Sequence, residues 1–482
     1  MDDMAVYEKQ NAIELQRDLK YRARPLYYLN RAYARMLFEV GMLAKDEYLL
    51  IDKGLTETIK TVSEKDAQGF AGDIHYLYQN ALYKAIGEKV GGKLHVGRSR
   101  NDMYFSMWRM SLREAILKVV SEVVKTQKLL DRTARENTET VIPYYTYGQP
   151  SQPGTWGHYL ETVSEMLSAD ITRLEAAYKT VNQSVMGAAA GIGSSFPLNK
   201  ERVAELLGFD GVIENTSLGN SAVDYYLETV SAFAILNTTL SRVSSDLMYF
   251  AENDVGILDF DDCIAGGSSI MPQKKNAIAP AYLQTASYEL PGYFVTCLTS
   301  AASQSVFPVM ETYQFFRDFW YHTDILLDNI ALLRVSIEHS HVRKDVAYER
   351  AKEGFTATAG MAEVLTNELK KPFTITHDVV GGMVKTLMNE NKLATKNMTP
   401  ELMAKVSKEV MGEEVRRTQA EIDAMLDPLA SLNAKVTGGT PKPADTLKML
   451  DAAAEKTARA EAWLKAAQDK IASAYAKLDE KP

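Results

Sequence analysis

The chain has 482 residues, 46% of them hydrophobic and 24% charged, with a formal net charge of −9. That balance fits a globular protein of roughly two to four domains and argues against a broad basic face for nucleic acid. Charges break every apolar run before about eighteen residues, so no membrane-spanning helix is expected, and the two cysteines, Cys263 and Cys297, suit a reducing cytoplasm rather than a disulfide framework.

The N-terminus, Met1–Asp2–Asp3–Met4, is acidic and lacks the basic start of a signal peptide. Beyond it, helical periodicity dominates. Ser111–Thr138 is expected as one long helix, with Leu112, Ile116, Val119, Val120, Val123 and Val124 on its apolar face. Pro143 and Pro150 interrupt, and Thr155–Gln183 is helical again. The glycine-rich stretch Met186–Ser195 lacks the pattern of a phosphate-binding loop and is expected to connect helices. Further helices are expected at Ala222–Asn253, Ala281–Ser303 and Thr312–His339, and an Ala-, Lys- and Glu-rich one from Pro441. The run Tyr225–Leu236 wraps apolar residues around much of its helix, which predicts burial on several sides and a subunit interface. The fold expected is all-α, built on an elongated bundle. Its expected divisions are an N-terminal helical domain (1–110), a central long-helix bundle (111–353) and a small C-terminal helical domain (354–482).

Three polar segments interrupt the helices. His95–Asp102, HVGRSRND, sets two guanidinium forks beside a hydroxyl and an amide. That set suits a carboxylate, and equally a capped helix start at Ser99 or Asn101. Tyr144–Pro153 reads as a proline-rich turn. Gly266–Asn276, GGSSIMPQKKN, joins flexible backbone to two hydroxyls, two lysines and an amide. Its N–H groups suit an oxyanion or an activated serine. Short cationic clusters on an acidic chain (Lys20–Arg24, Arg98–Arg100, Lys274–Lys275) point to a small anionic ligand. The seven histidines are scattered, with no HExxH and no paired cysteines, so no metal is expected, nor any cofactor. Cys263 is expected to be a packed thiol.

These segments carry a resemblance. GSSIMPQKKN matches the GSxxMxxKxN signature of the fumarase/aspartase/argininosuccinate lyase superfamily, and HVGRSRND is similar to the HTGRSRND of argininosuccinate lyases. PYYTYGQPSQP resembles their PGYTHLQRAQP, and Lys371–Gly381 and Val436–Thr440 resemble their C-terminal region. The resemblance spans residues from about 20 to about 450. It implies a three-domain, mostly helical protomer and a homotetramer with a twenty-helix core. It also implies active sites composed of segments from different subunits. The implied chemistry is elimination of fumarate from a succinyl group. Ser268 takes the role of base, Lys274 and Asn276 hold the carboxylate that gains charge, and Ser269 and Met271 stand beside them. Ser99, Arg100, Asn101 and Thr146 grip the succinyl part.

Some positions depart from the family pattern. Tyr147 stands where the family has a histidine, and Ala281 where it has the partner glutamate. Val96 and Met103 replace a threonine and a glutamine, and Met310–Trp320 is more aromatic than the family segment for the amino-acid end of the substrate. Tyr147 is a candidate proton donor to the leaving group. The expectation is a cytoplasmic carbon–nitrogen lyase acting on an N-substituted aspartate other than argininosuccinate. Argininosuccinate lyase with an altered acid is the alternative, and a non-catalytic, crystallin-like bundle the second. The expected partners are an anionic substrate with a succinyl group and further copies of the chain, not nucleic acid or membrane.

Overall fold

A computed structural model describes residues 3–307, 317–392 and 394–480. Four helices of more than ten residues open the described chain: α1 (Asp3–Tyr21), α2 (Ala23–Glu39), α3 (Lys45–Thr61) and α4 (Ile74–Ile86). They lead into α5 (Arg100–Arg135), which starts ahead of the expected Ser111 because Ser99 caps it. A hairpin of β1 (Val141–Thr146) and β2 (Gln149–Thr155) follows, then α6 (Trp156–Val181) and α7 (Asp224–Ala251). Next come β3 (Leu258–Phe260), α8 (Ile278–Ala286), α9 (Glu289–Ala302), α10 (Phe319–Glu338) and β4 (Ser340–Val342). The fold is all-α in its framework, and among the described residues the strands pair only as two-stranded ribbons. No described helix is long and apolar enough to cross a membrane.

The contacts set the directions of the bundle. The Arg109 guanidinium lies 3.8 Å from the Tyr225 ring, which puts the starts of α5 and α7 together. Trp156 and Tyr159 at the start of α6 pack on Phe250 at the end of α7, so α6 runs antiparallel between them. Arg334 of α10 reaches Glu122 of α5 at 2.9 Å.

One expected helix is two. Ala281–Ser303 breaks at Ser287–Tyr288 between α8 and α9. Pro291 has no N–H for the Ser287 carbonyl, four residues back. Asn237 Nδ2 takes that carbonyl at 2.8 Å, so the break is hydrogen-bonded. The apolar wrap of α7 is consumed inside the chain. Tyr225, Tyr226, Val230, Phe233, Ala234 and Leu236 are buried, and Ile235 is exposed. Exposed apolar side chains lie instead on α8 and α9 and the link between them, at Tyr282, Tyr288, Val295 and Leu298.

Past residue 354, α11 (Thr358–Leu369), α12 (Phe373–Asn389) and α13 (Pro400–Met411) close a separate apolar core around Met361, Val379, Met383 and Met403. The last long helix, α14 (Pro443–Lys477), does not belong to that core. It lies back along α5, with Tyr475 Oη 3.0 Å from Arg113 and Asp451 3.0 Å from Arg135. An expected division at 110 falls inside α5, and Gly354 caps the helix Lys344–Glu353.

Candidate active site

The first polar segment is a helix start built around a buried carboxylate. Ser99 is the N-cap of α5, and its hydroxyl accepts from the Asn101 N–H at 3.3 Å. Asp102 completes the capping box by accepting from the Ser99 N–H at 2.9 Å. Its other oxygen accepts from Gly187 and Ala189 N–H at 3.2 and 2.9 Å. The glycine-rich stretch thus cradles an anion, but the anion is the chain's own. Asp102 is fully buried, and burial lifts its carboxyl to about 7 against the pull of the three N–H groups.

The two arginines of the segment part company. Arg98 turns inward, donates to Asn30 at 2.7 Å and faces the Tyr33 ring, while burial pulls it down to about 10. Arg100 turns outward, paired with Asp73 at 3.0 Å and stacked near Tyr76. Behind them His75 is pushed down to about 3 by burial and the nearby Arg98, and burial lowers His95 as well. Neutral imidazoles leave Arg100 as the outward-facing cation of this corner. Gly97 has φ +70°, and a Cβ there would meet Leu198 at 3.0 Å, so a side chain ahead of the arginines would be strained.

The second segment is a hairpin, not only a turn. Thr146 pairs with Gln149, leaving Tyr147 and Gly148 as a two-residue loop with φ of 53° and 73°. Such turns favour Asn-Gly or Gly-Gly, and a tyrosine there costs about 1–3 kcal/mol. Tyr147 makes no return on that cost inside the chain, since its relative exposure is 105%. Thr146 is exposed beside it. The hairpin is braced by Tyr249 of α7, whose hydroxyl donates to the Gly148 carbonyl at 3.1 Å.

The third segment is a loop closed at its stem. Gly266 and Asn276 exchange both backbone hydrogen bonds, at 3.0 and 2.8 Å. A Cβ on Gly266 would lie 2.4 Å from Ile278 Cγ1. Inside the loop the Ser268 hydroxyl accepts from the N–H groups of Ile270 and Met271 at 3.3 and 3.1 Å. Two fixed dipoles therefore point at the oxygen that would carry an alkoxide. Lys275 is held by Asp259 and Asp262 at 3.2 and 3.1 Å. Lys274, Ser269 and Met271 are exposed, Asn276 half-buried. Ala281 sits half-buried in the first turn of α8.

The structure does not gather the three segments into one pocket. Thirty-six residues of α5, at about 1.5 Å each, put the Ser99 end roughly 54 Å from the hairpin end. The hairpin and the Ser268 loop both lie toward the C-terminal end of α7. Residues 310–316 of the aromatic leaving-group segment lie outside the described residues. Cys263, expected to be packed, is exposed; Cys297 is the buried thiol. Cys263 follows β3 in the exposed stem of the loop. Sequence spacing also missed that Asp261, Cys263 and His339 converge, because their approach depends on the pairing of β3 with β4.

Comparison with known proteins agrees with the motifs. A family described as lyase matches residues 5–292. The argininosuccinate lyase of Methanocaldococcus jannaschii is 31% identical over 431 residues, covering 89% of this chain and 87% of that protein. Among solved structures, EDDS lyase in complex with formate superposes with a TM-score of 0.88 at 25% identity, covering 98% of this chain and 94% of that one. An EDDS lyase variant with bound fumarate gives the same TM-score at 26% identity over the same shares of the two chains. With its helical framework, its capped GRSRND start and its closed serine loop, the chain belongs to the lyase family of the fumarase/aspartase superfamily and is an argininosuccinate lyase-like enzyme.

Proposed function

We propose that this enzyme eliminates fumarate from an N-substituted aspartate, with Ser268 as the base. The carrying observation is the pair of backbone N–H groups on the Ser268 hydroxyl. A serine is a poor base unless its alkoxide is stabilised, and these donors supply that stabilisation. Ser268 takes the proton beside one carboxylate, and Lys274 and Asn276 hold that carboxylate as it becomes an aci-carboxylate. The C–N bond then breaks, and the amine leaves with a proton for which Tyr147 is the candidate donor. Ser99, Arg100, Asn101 and Thr146 hold the succinyl part. In this reading Ser99–Asn101 come from a different copy of the chain than the hairpin, which the length of α5 supports. A homotetramer with composite sites fits that reading. The exposed apolar residues of α8 and α9 offer a surface for it.

The curated relatives favour argininosuccinate as the substrate over the expectation of another amine. Tyr147 and Ala281, in place of the family's histidine and glutamate, keep a different amine as the second reading. Fumarate release followed by ultraviolet absorbance decides between them, using argininosuccinate and a panel of N-substituted aspartates. Turnover of argininosuccinate at about 1 s⁻¹ or faster supports the first reading. Turnover of another member alone supports the second. Ser268→Ala lowers the rate by about 10²–10⁴ if Ser268 is the base. Absence of fumarate from every substrate, with no addition of amines to fumarate, would leave the non-catalytic bundle.

A further inference from the structure

At the stem of the Ser268 loop, outside the proposed catalytic groups, four side chains of metal-ligating type meet. Asp261 Oδ2 lies 2.9 Å from His339 Nδ1, and Asp261 Oδ1 lies 2.8 Å from His341 Nε2. The Cys263 thiol is 3.7 Å from the same His339 nitrogen. One donor atom each from Asp261, Cys263 and His339 falls within 4.8 Å of the others. Fold topology creates the meeting. Strand β3 pairs with β4, with Asp259 opposite His341, and the Asp261 N–H donates to the His339 carbonyl at 3.0 Å.

We propose that Asp261, Cys263 and His339 form a binding site for a divalent transition metal of the zinc class, with His341 orienting the carboxylate from behind. The spacing fits such an ion. Zinc–sulfur and zinc–nitrogen bonds of about 2.3 and 2.05 Å give a tetrahedral S–N edge of roughly 3.6 Å, against the 3.7 Å found. The carboxylate has to draw back from His339 by only about half an ångström to take its own corner. Thiolate with imidazole selects zinc, cobalt or nickel over magnesium or calcium. Three protein ligands leave one position for water or another donor. His341, bonded to the remaining carboxylate oxygen, is a second-sphere support of the kind whose loss weakens metal binding about 10- to 100-fold. The neighbouring Asp259 and Asp262 add negative charge, which Lys275 only partly offsets. The ion joins the root of the Ser268 loop, at Asp261 and Cys263, to the C-terminal cap of α10 at His339.

The test uses the full chain, stripped with a chelator and titrated with Co²⁺, then with Zn²⁺ in competition. One equivalent of cobalt per chain, a thiolate-to-cobalt charge-transfer band and displacement by zinc are expected. The band reports Cys263, because the other thiol, Cys297, is buried. Cys263→Ser should remove the band and weaken binding at least tenfold, as should His339→Ala for affinity. Metal should raise the melting temperature of the wild type and not that of Cys263→Ser. Absence of saturable binding overturns the proposal, and so does binding of unchanged affinity in both variants. Fumarate release is not part of this readout, so it stands or falls apart from the proposed reaction.

Discussion

Asp102→Asn probes the helix start that carries Ser99, Arg100 and Asn101. The substitution keeps the side chain's shape and removes its ionisation. Asp102 is fully buried and accepts three backbone N–H groups. An asparagine has one oxygen, so at least one of those donors loses its acceptor, a cost of about 1–3 kcal/mol that does not vary with pH. The pH-dependent part comes from the carboxyl itself, raised by burial to about 7, against about 3.9 in an unfolded chain. A carboxyl raised on folding contributes stability in full below its unfolded value, and that contribution is lost as pH rises through its folded value. Between pH 5 and 7 the unfolded chain is already ionised while the folded one stays protonated. Two pH units at about 1.36 kcal/mol each give roughly 3 kcal/mol of stability lost by the wild type alone. Thermal melts of both proteins at pH 5 and pH 8 should therefore show the variant less stable at pH 5 and the gap closing by pH 8. The closure amounts to a few degrees. A gap that stays constant means Asp102 is ionised throughout, and that the three N–H groups outweigh its burial.

Two further outcomes follow from the other segments. Tyr147→Phe should leave the melting temperature unchanged, because the side chain is exposed throughout its length; it should lower kcat at least tenfold if the phenol donates the proton, and an unchanged kcat would leave Tyr147 without that role. Gly266→Ala forces its new Cβ to within 2.4 Å of Ile278, so fumarate release should fall at least tenfold and recover in the double variant with Ile278→Ala; failure to recover would mean the stem tolerates no side chain for another reason.

Local pattern was enough to place the long helices, because an apolar stripe at helical spacing has one use and α5, α6 and α7 each carry it. It was also enough to mark the signature serine loop and the GRSRND start, where residue types at fixed short spacing carry the family pattern. It failed where partners come from elsewhere in the chain. Pro143, Pro150 and Pro153 hid a hairpin, since a two-stranded ribbon tolerates proline at its edges. The break at Ser287 needed Asn237, fifty residues away, to take the freed carbonyl. The glycine-rich stretch had no visible ligand until folding brought Asp102 into it. Asp261 and Cys263 are ordinary surface residues until the pairing of β3 with β4 carries His339 and His341 to them. The sequence by itself determined the helical framework and the family signature of the serine loop, both consequences of short-range spacing. Tertiary structure alone decided which donors meet which acceptors, and set Ser99 and Tyr147 at opposite ends of α5, because those are distances between segments that no local pattern encodes.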